Sequence, residues 1–202
     1  MIVLAAATAD GGTVELAQEL GELGPVVVLA CDAAARSGEV TVVEADLWSP
    51  DSSVEAWRSA EQTHGPGEAL VTLPAPPSAP APLAETSDHA WAALLRDSLF
   101  VAMHAARAAA PAMIGRGRGC IAMVTWDLEG TAGHVALATA CGAVGHLART
   151  LASEIGEAGV TVNAVSVAAG RPADAAPAVR LLCSLDGGYL TSEALFPVGA
   201  LP

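Results

Sequence analysis

Along the chain, short uninterrupted apolar runs alternate with stretches in which apolar residues recur every three or four positions. Residues 2–7 are one such run, and they end in the turn Thr8-Ala9-Asp10-Gly11-Gly12. In VELAQELGELG (14–24) the apolar positions 14, 16, 17, 20 and 23 carry a helical period that stops at Gly24-Pro25. VVVLA (26–30) and VTVVEAD (40–46) read as strands, the second ending in Asp46. Residues 53–62 suit a short helix, and ALVTL (69–73) is a strand that runs into the stiff, proline-rich loop PAPPSAPAP (74–82). A long helical pattern over 87–114 is broken by GRGRG (115–119), and CIAMVT (120–125) is the next strand. A helix over 134–156, a strand over 160–167, a helix over 177–185 and a last strand ALFPV (194–198) complete the order. Strands that are apolar throughout and alternate with helices predict a parallel sheet covered on both faces. No internal repeat and no boundary divides residues 1–202, so a single α/β domain is expected.

Composition narrows the classes. An apolar fraction of 52% excludes a disordered chain. No uninterrupted apolar run approaches the roughly 20 residues of a membrane span. MIVLAAA lacks a basic leader and reads as a buried strand rather than a signal peptide. The net charge of −13 disfavours nucleic acid and anionic membrane as partners. Cys31, Cys120, Cys141 and Cys183 are widely spaced in apolar surroundings. They read as core residues of a reduced cytoplasmic protein, not as a metal or disulfide framework. All nine basic residues are arginine, and Tyr189 is the sole tyrosine. A mechanism that needs a lysine is therefore excluded.

Three stretches carry a more specific likeness: AARAAAPAMIGRGRGCIAMVT (105–125), GHLARTLASEIGEAGVTVNAVS (145–166) and AVRLLCSLDGGYLTSEALFPV (178–198). With the element order, they make the chain resemble the short-chain dehydrogenase/reductase family, in particular its β-ketoacyl-reductase-like members. The resemblance implies a Rossmann-like, doubly wound parallel sheet. It also implies functional positions, and there the chain departs. The family's TGxxxGxG loop, whose glycines let the backbone approach a pyrophosphate, falls on residues 6–13. Only Gly11 is kept in register. Ala7 and Thr13 replace glycines, and Asp10 places a carboxylate where phosphate would sit, although it is a good helix cap. The family's catalytic asparagine falls on Ser98 and its serine on Thr125 or Trp126. Its tyrosine falls on Leu137 and its lysine on Cys141. Leucine cannot donate a proton. The extended substrate lid before the last helix is deleted, because VNAVSVAAGRPADAAPAV joins the two directly. The resemblance thus implies a member with no catalytic residues of its own and no bound cofactor.

Weaker candidates remain. Asp32 and Asp46 end strands and could touch a nucleotide, although such aspartates are common. Thr125, Asp127 and His134 could form a new acid–base site. Cys141 could be a nucleophile, but a buried cysteine without a basic neighbour is usually inert. His104 and His146 suit a core or an interface better than a metal, and no metal site is expected. On the helix 134–156, Ala138, Gly142 and Gly145 form a small-residue face beside His146 and Arg149. In the family the helices matching 87–114 and 134–156, with the last strand, join subunits. Here they mark Ala138, Gly142, Gly145, His146, Arg149 and, in the tail 194–202, Phe196 as interface candidates. The function implied is a non-catalytic subunit, in a dimer or tetramer with an intact family member that binds NAD(P)H and acts on a β-keto or β-hydroxy acyl thioester in biosynthesis. The alternative is a cyclase, dehydratase or isomerase that reuses the old crevice without nicotinamide.

Overall fold

The computed structural model describes residues 1–35, 38, 40–184, 190–191 and 194–195. Its seven strands are β1 (Ile2–Thr8), β2 (Val26–Asp32), β3 (Thr41–Glu44), β4 (Ala69–Thr72), β5 (Gly119–Asp127), β6 (Val160–Ala168) and β7 (Ala194–Leu195). All pair in parallel in the order β3-β2-β1-β4-β5-β6-β7, so the strand order reverses beside β1. This is the doubly wound arrangement, whose crevice lies at the carboxyl ends of the strands flanking the reversal.

Helices α1 (Gly11–Leu20) and α6 (Ala176–Cys183) cover one face of the sheet. Helices α2 (Pro50–His64), α4 (Val101–Arg116) and α5 (Val135–Ile155) cover the other. Alternation along β1 shows the division: Ile2, Leu4 and Ala6 enter the first core, while Val3, Ala5 and Ala7 enter the second.

Several boundaries differ from the expected ones, each for a local reason. The first helix starts at Gly11 rather than residue 14, because Asp10 caps it; a short 3-10 turn over Gly21–Leu23 ends the segment. Helix α2 starts at Pro50, behind the Ser49 cap, rather than at 53. The expected continuous helix over 87–114 is divided into α3 (Asp88–Leu95), a π-helical turn over Arg96–Phe100, and α4. The stretch Val135–Ala158 is long and apolar enough to cross a bilayer by length and composition, which uninterrupted runs alone did not reveal. In the fold its buried residues, from Leu137 to Ile155, pack in the two cores. Between β6 and α6 there is only a short 3-10 turn, Pro172–Ala175, in place of an extended lid. Tyr189, Phe196 and the tail beyond Leu195 lie outside the described residues.

Candidate functional site

The crevice is built from the carboxyl ends of β1, β4 and β5 and from the overhanging first turns of α5. On the β1 side, Asp10 accepts from Thr13 N at 2.8 Å and from Thr13 Oγ1 at 2.9 Å. Its carboxylate therefore sits at the positive end of α1, the place where an anionic ligand would otherwise be held. Pro172 closes on the same loop: a Cβ added to Gly12 would lie 2.8 Å from Pro172 Cγ. Glycine is required at position 12 by this close approach of the chain's own proline.

On the β4 side, the proline-rich loop folds over the crevice and is pinned along its length. Ala75 N donates to Ser98 Oγ at 3.0 Å, and Trp126 Nε1 donates to Ala75 O at 2.7 Å. Further along, Ala81 N donates to Gly133 O at 2.9 Å. Gly133 has φ +83°, and a Cβ there would meet Pro80 at 2.6 Å. Ser98 and Trp126, two positions that the resemblance assigns to catalysis, thus hold one backbone unit from both sides. Ser98 lies in the π-helical turn, a local widening that breaks the regular α-helical bonding at this point.

The remaining matched positions are apolar packing. Leu137 is 1% exposed and clusters with Trp126, Leu128, Leu73 and Ala75. Cys141 joins the same cluster and accepts from Trp126 N at 3.5 Å. Burial pushes its thiol up to about 11. At pH 7 only about one thiol in ten thousand would then be ionised. Cys141 is therefore expected to escape iodoacetamide in the folded chain and to label fully in denaturant, read by peptide mass mapping. Ready labelling of the folded chain would contradict that burial. The space left among Thr8, Asp10, Gly12, Pro76, Trp126 and Pro172 is about 80 Å³. Pockets for small molecules and cofactors commonly span roughly 300–1,000 Å³.

Trp126 lines the crevice, and with Thr125, Asp127, Cys141, Gly142 and Arg149 it also lines an adjoining groove of about 340 Å³. Thr125 and Asp127 are therefore brought together, but His134, at the cap of α5, does not border that groove. Asp127 Oδ1 accepts from Glu129 N at 3.2 Å in a turn. Asp46 likewise accepts from Trp48 N at 3.0 Å, and Asp32 is exposed at the end of β2. Ala7 packs in the second core and Gly11 is exposed in the first turn of α1. His104 is buried, with Nδ1 3.0 Å from Leu47 O, as suits a core histidine. His146 and Arg149 lie on the exposed side of α5. Among the described residues, no cluster of three or more potential metal ligands occurs.

What sequence reading missed is the loop 74–82. It looked like a connector, and its part in filling the crevice depends on partners far away in the chain. A family model described as enoyl-(acyl carrier protein) reductase matches residues 6–171. The match runs from the end of β1 to Arg171, just before Pro172, and with the strand order it establishes that the chain belongs to the short-chain dehydrogenase/reductase family.

Proposed function

We propose that this chain is a non-catalytic member of its family that assembles with an intact NAD(P)H-dependent member. The partner supplies cofactor binding and the serine, tyrosine and lysine chemistry. An acyl group carried on a thioester is the substrate class we assign to the pair, in keeping with the description of the matching family, and a cytoplasmic biosynthetic setting suits it.

The observation that carries this reading is the filled crevice. The space of about 80 Å³ beside the start of α1 is small for a dinucleotide, and the Asp10 carboxylate would repel its pyrophosphate. Trp126, Leu137 and Pro172 occupy the space with atoms of the chain itself.

Assembly draws support from the outer side of the second face. Phe100, Met103 and Ile114 are exposed along one stripe of the π-helical turn and α4. On α5, a Cβ at Gly142 or Gly145 would meet nothing within 4 Å. Packing within the chain therefore gives no reason for glycine at either place. In a helix interior each glycine is less favourable than alanine by about 1 kcal/mol. Gly142→Ala and Gly145→Ala are expected to stabilise the isolated chain, together by about 1–2 kcal/mol in urea unfolding. In the same variants, binding to the partner is expected to weaken at least tenfold. Stabilisation with unchanged assembly would remove α5 from the proposed interface.

The test of the whole reading is co-expression with the intact family member from the same genome, purified through a tag on this chain. Native mass spectrometry should give a defined hetero-dimer or tetramer, with NAD(P)H turnover only in the pair. Isolated chain that binds NADPH in a fluorescence titration, or that turns it over, would overturn it. The other reading, a non-redox enzyme in the old crevice, would place its substrate in the small cavity or in the adjoining groove of about 340 Å³ beside Thr125 and Asp127. It would gain ground from a stable homo-oligomer that ignores the partner.

A further inference from the structure

At the amino ends of the strands, opposite the crevice, two thiols touch. Cys120 is the second residue of β5, in register with Ala69 at the start of β4 and with Thr161 near the start of β6. Cys183 ends α6. Their sulfurs are 3.4 Å apart, although the residues are 63 positions apart in the chain. We infer that Cys120 and Cys183 form a redox-active dithiol, which a low-molecular-weight disulfide such as oxidised glutathione closes to an intramolecular disulfide.

The two sulfurs are not equivalent. Cys120 is buried, and Cys183 is only partly so. The hydrogen bond from the Cys183 thiol, above all, lowers the pKa of Cys120 and outweighs burial, while the Thr161 hydroxyl nearby donates to Gly119 O at 3.5 Å. Donating to Cys120, together with burial, raises that of Cys183. Loss of one proton leaves a thiolate shared across the contact. Cys183, the more accessible sulfur, passes its proton across the contact to the Cys120 thiolate as it attacks one sulfur of the external disulfide, whose S–S bond breaks and releases one thiolate. The Cys120 thiol gives its proton to that released thiolate, and its sulfur then attacks Cys183. The mixed disulfide breaks and releases the second thiolate. The protein loses two electrons and two protons, and the external disulfide gains both to become two thiols. The other cysteines have no such neighbour: Cys31 accepts from Leu47 N at 3.3 Å and Cys141 from Trp126 N. In a reducing cytoplasm the pair rests as the dithiol. Oxidation fastens the end of α6 to the start of β5, on the way to β7. The inference does not rest on the proposed function, which concerns the crevice and the outer side of α4 and α5.

The full chain, reduced and freed of reductant, would be treated with oxidised glutathione and examined by intact mass and tryptic mapping. Cleavage after Arg118, Arg149 and Arg180 puts Cys120 and Cys141 in residues 119–149 and Cys183 in 181–202. The expected product has lost two hydrogens and carries no glutathione. Its two peptides are linked, fragmentation places the bond on Cys120, and dithiothreitol reverses it. The oxidised chain should melt at a higher temperature. Cys141→Ala should leave the link intact, while Cys183→Ser and Cys183→Ala should abolish it. A stable glutathione adduct on Cys183, a link through Cys141, or an unmodified chain under the same treatment would each overturn the inference. The wild-type map decides even if a variant does not fold.

Discussion

Trp126→Ala is expected to cost about 4 kcal/mol of folding stability, the range found for removing a buried aromatic from a core. Such a loss is a large share of the roughly 5–15 kcal/mol that holds a domain folded. Two terms act together. The indole is 5% exposed and packs against Leu137, Cys141 and Ala75, so its removal leaves a cavity beside the 80 Å³ already present. The Ala75 carbonyl also loses the donor that meets it at 2.7 Å. Trp126→Phe separates the two: it keeps most of the apolar surface and should cost about 1–2 kcal/mol, mainly the orphaned carbonyl. Urea unfolding should show the midpoint falling in the order wild type, Phe, Ala, with little change in slope. A loss below about 1 kcal/mol for alanine would mean that the side chain does not fill the crevice in solution.

The second large effect comes from restoring what the family carries. Leu137→Tyr with Cys141→Lys recreates the tyrosine and lysine spacing, yet is expected to unfold the chain rather than activate it. Leu137 is 1% exposed and Cys141 5%, both against Trp126. A tyrosine adds volume to a filled core, at about 1–3 kcal/mol. A lysine at 141 replaces a side chain packed with Trp126, Leu128 and Leu137, beside the groove that Asp127 and Glu129 also line. Burial of that charge drives its pKa down and destabilises the fold by several kcal/mol. Loss of the folded signal in circular dichroism, with no NADPH oxidation, is the expected result. A folded double variant that oxidises NADPH would sink the proposal that the crevice no longer serves chemistry.

The sheet was legible in the sequence because its signal is local. Runs such as VVVLA and CIAMVT can be read without knowing their neighbours, and Asp10, Gly24-Pro25 and GRGRG punctuate them. The serine equivalent stays open between Thr125 and Trp126, of which Trp126 shares the face of Ala122 and Val124 in the first core. The filling of the crevice was not legible. Ser98, Ala75 and Trp126 meet across 23 and 51 positions, and a proline-rich loop has the same composition whether it caps a core or only connects two elements. The Cys120 and Cys183 contact was hidden for the same reason: nothing near either residue announces the other.

The Ala75 clamp has a consequence for how the fold responds to its surroundings. A Rossmann-type domain with an open crevice gains stability by mass action when nucleotide binds, so its melting temperature follows cellular nucleotide levels. Here the indole and the proline loop act as a tethered ligand, always present at the high effective concentration of an intramolecular group. If the crevice holds no nucleotide, as proposed, the surface this chain presents is uncoupled from the redox and energy state of the nucleotide pool.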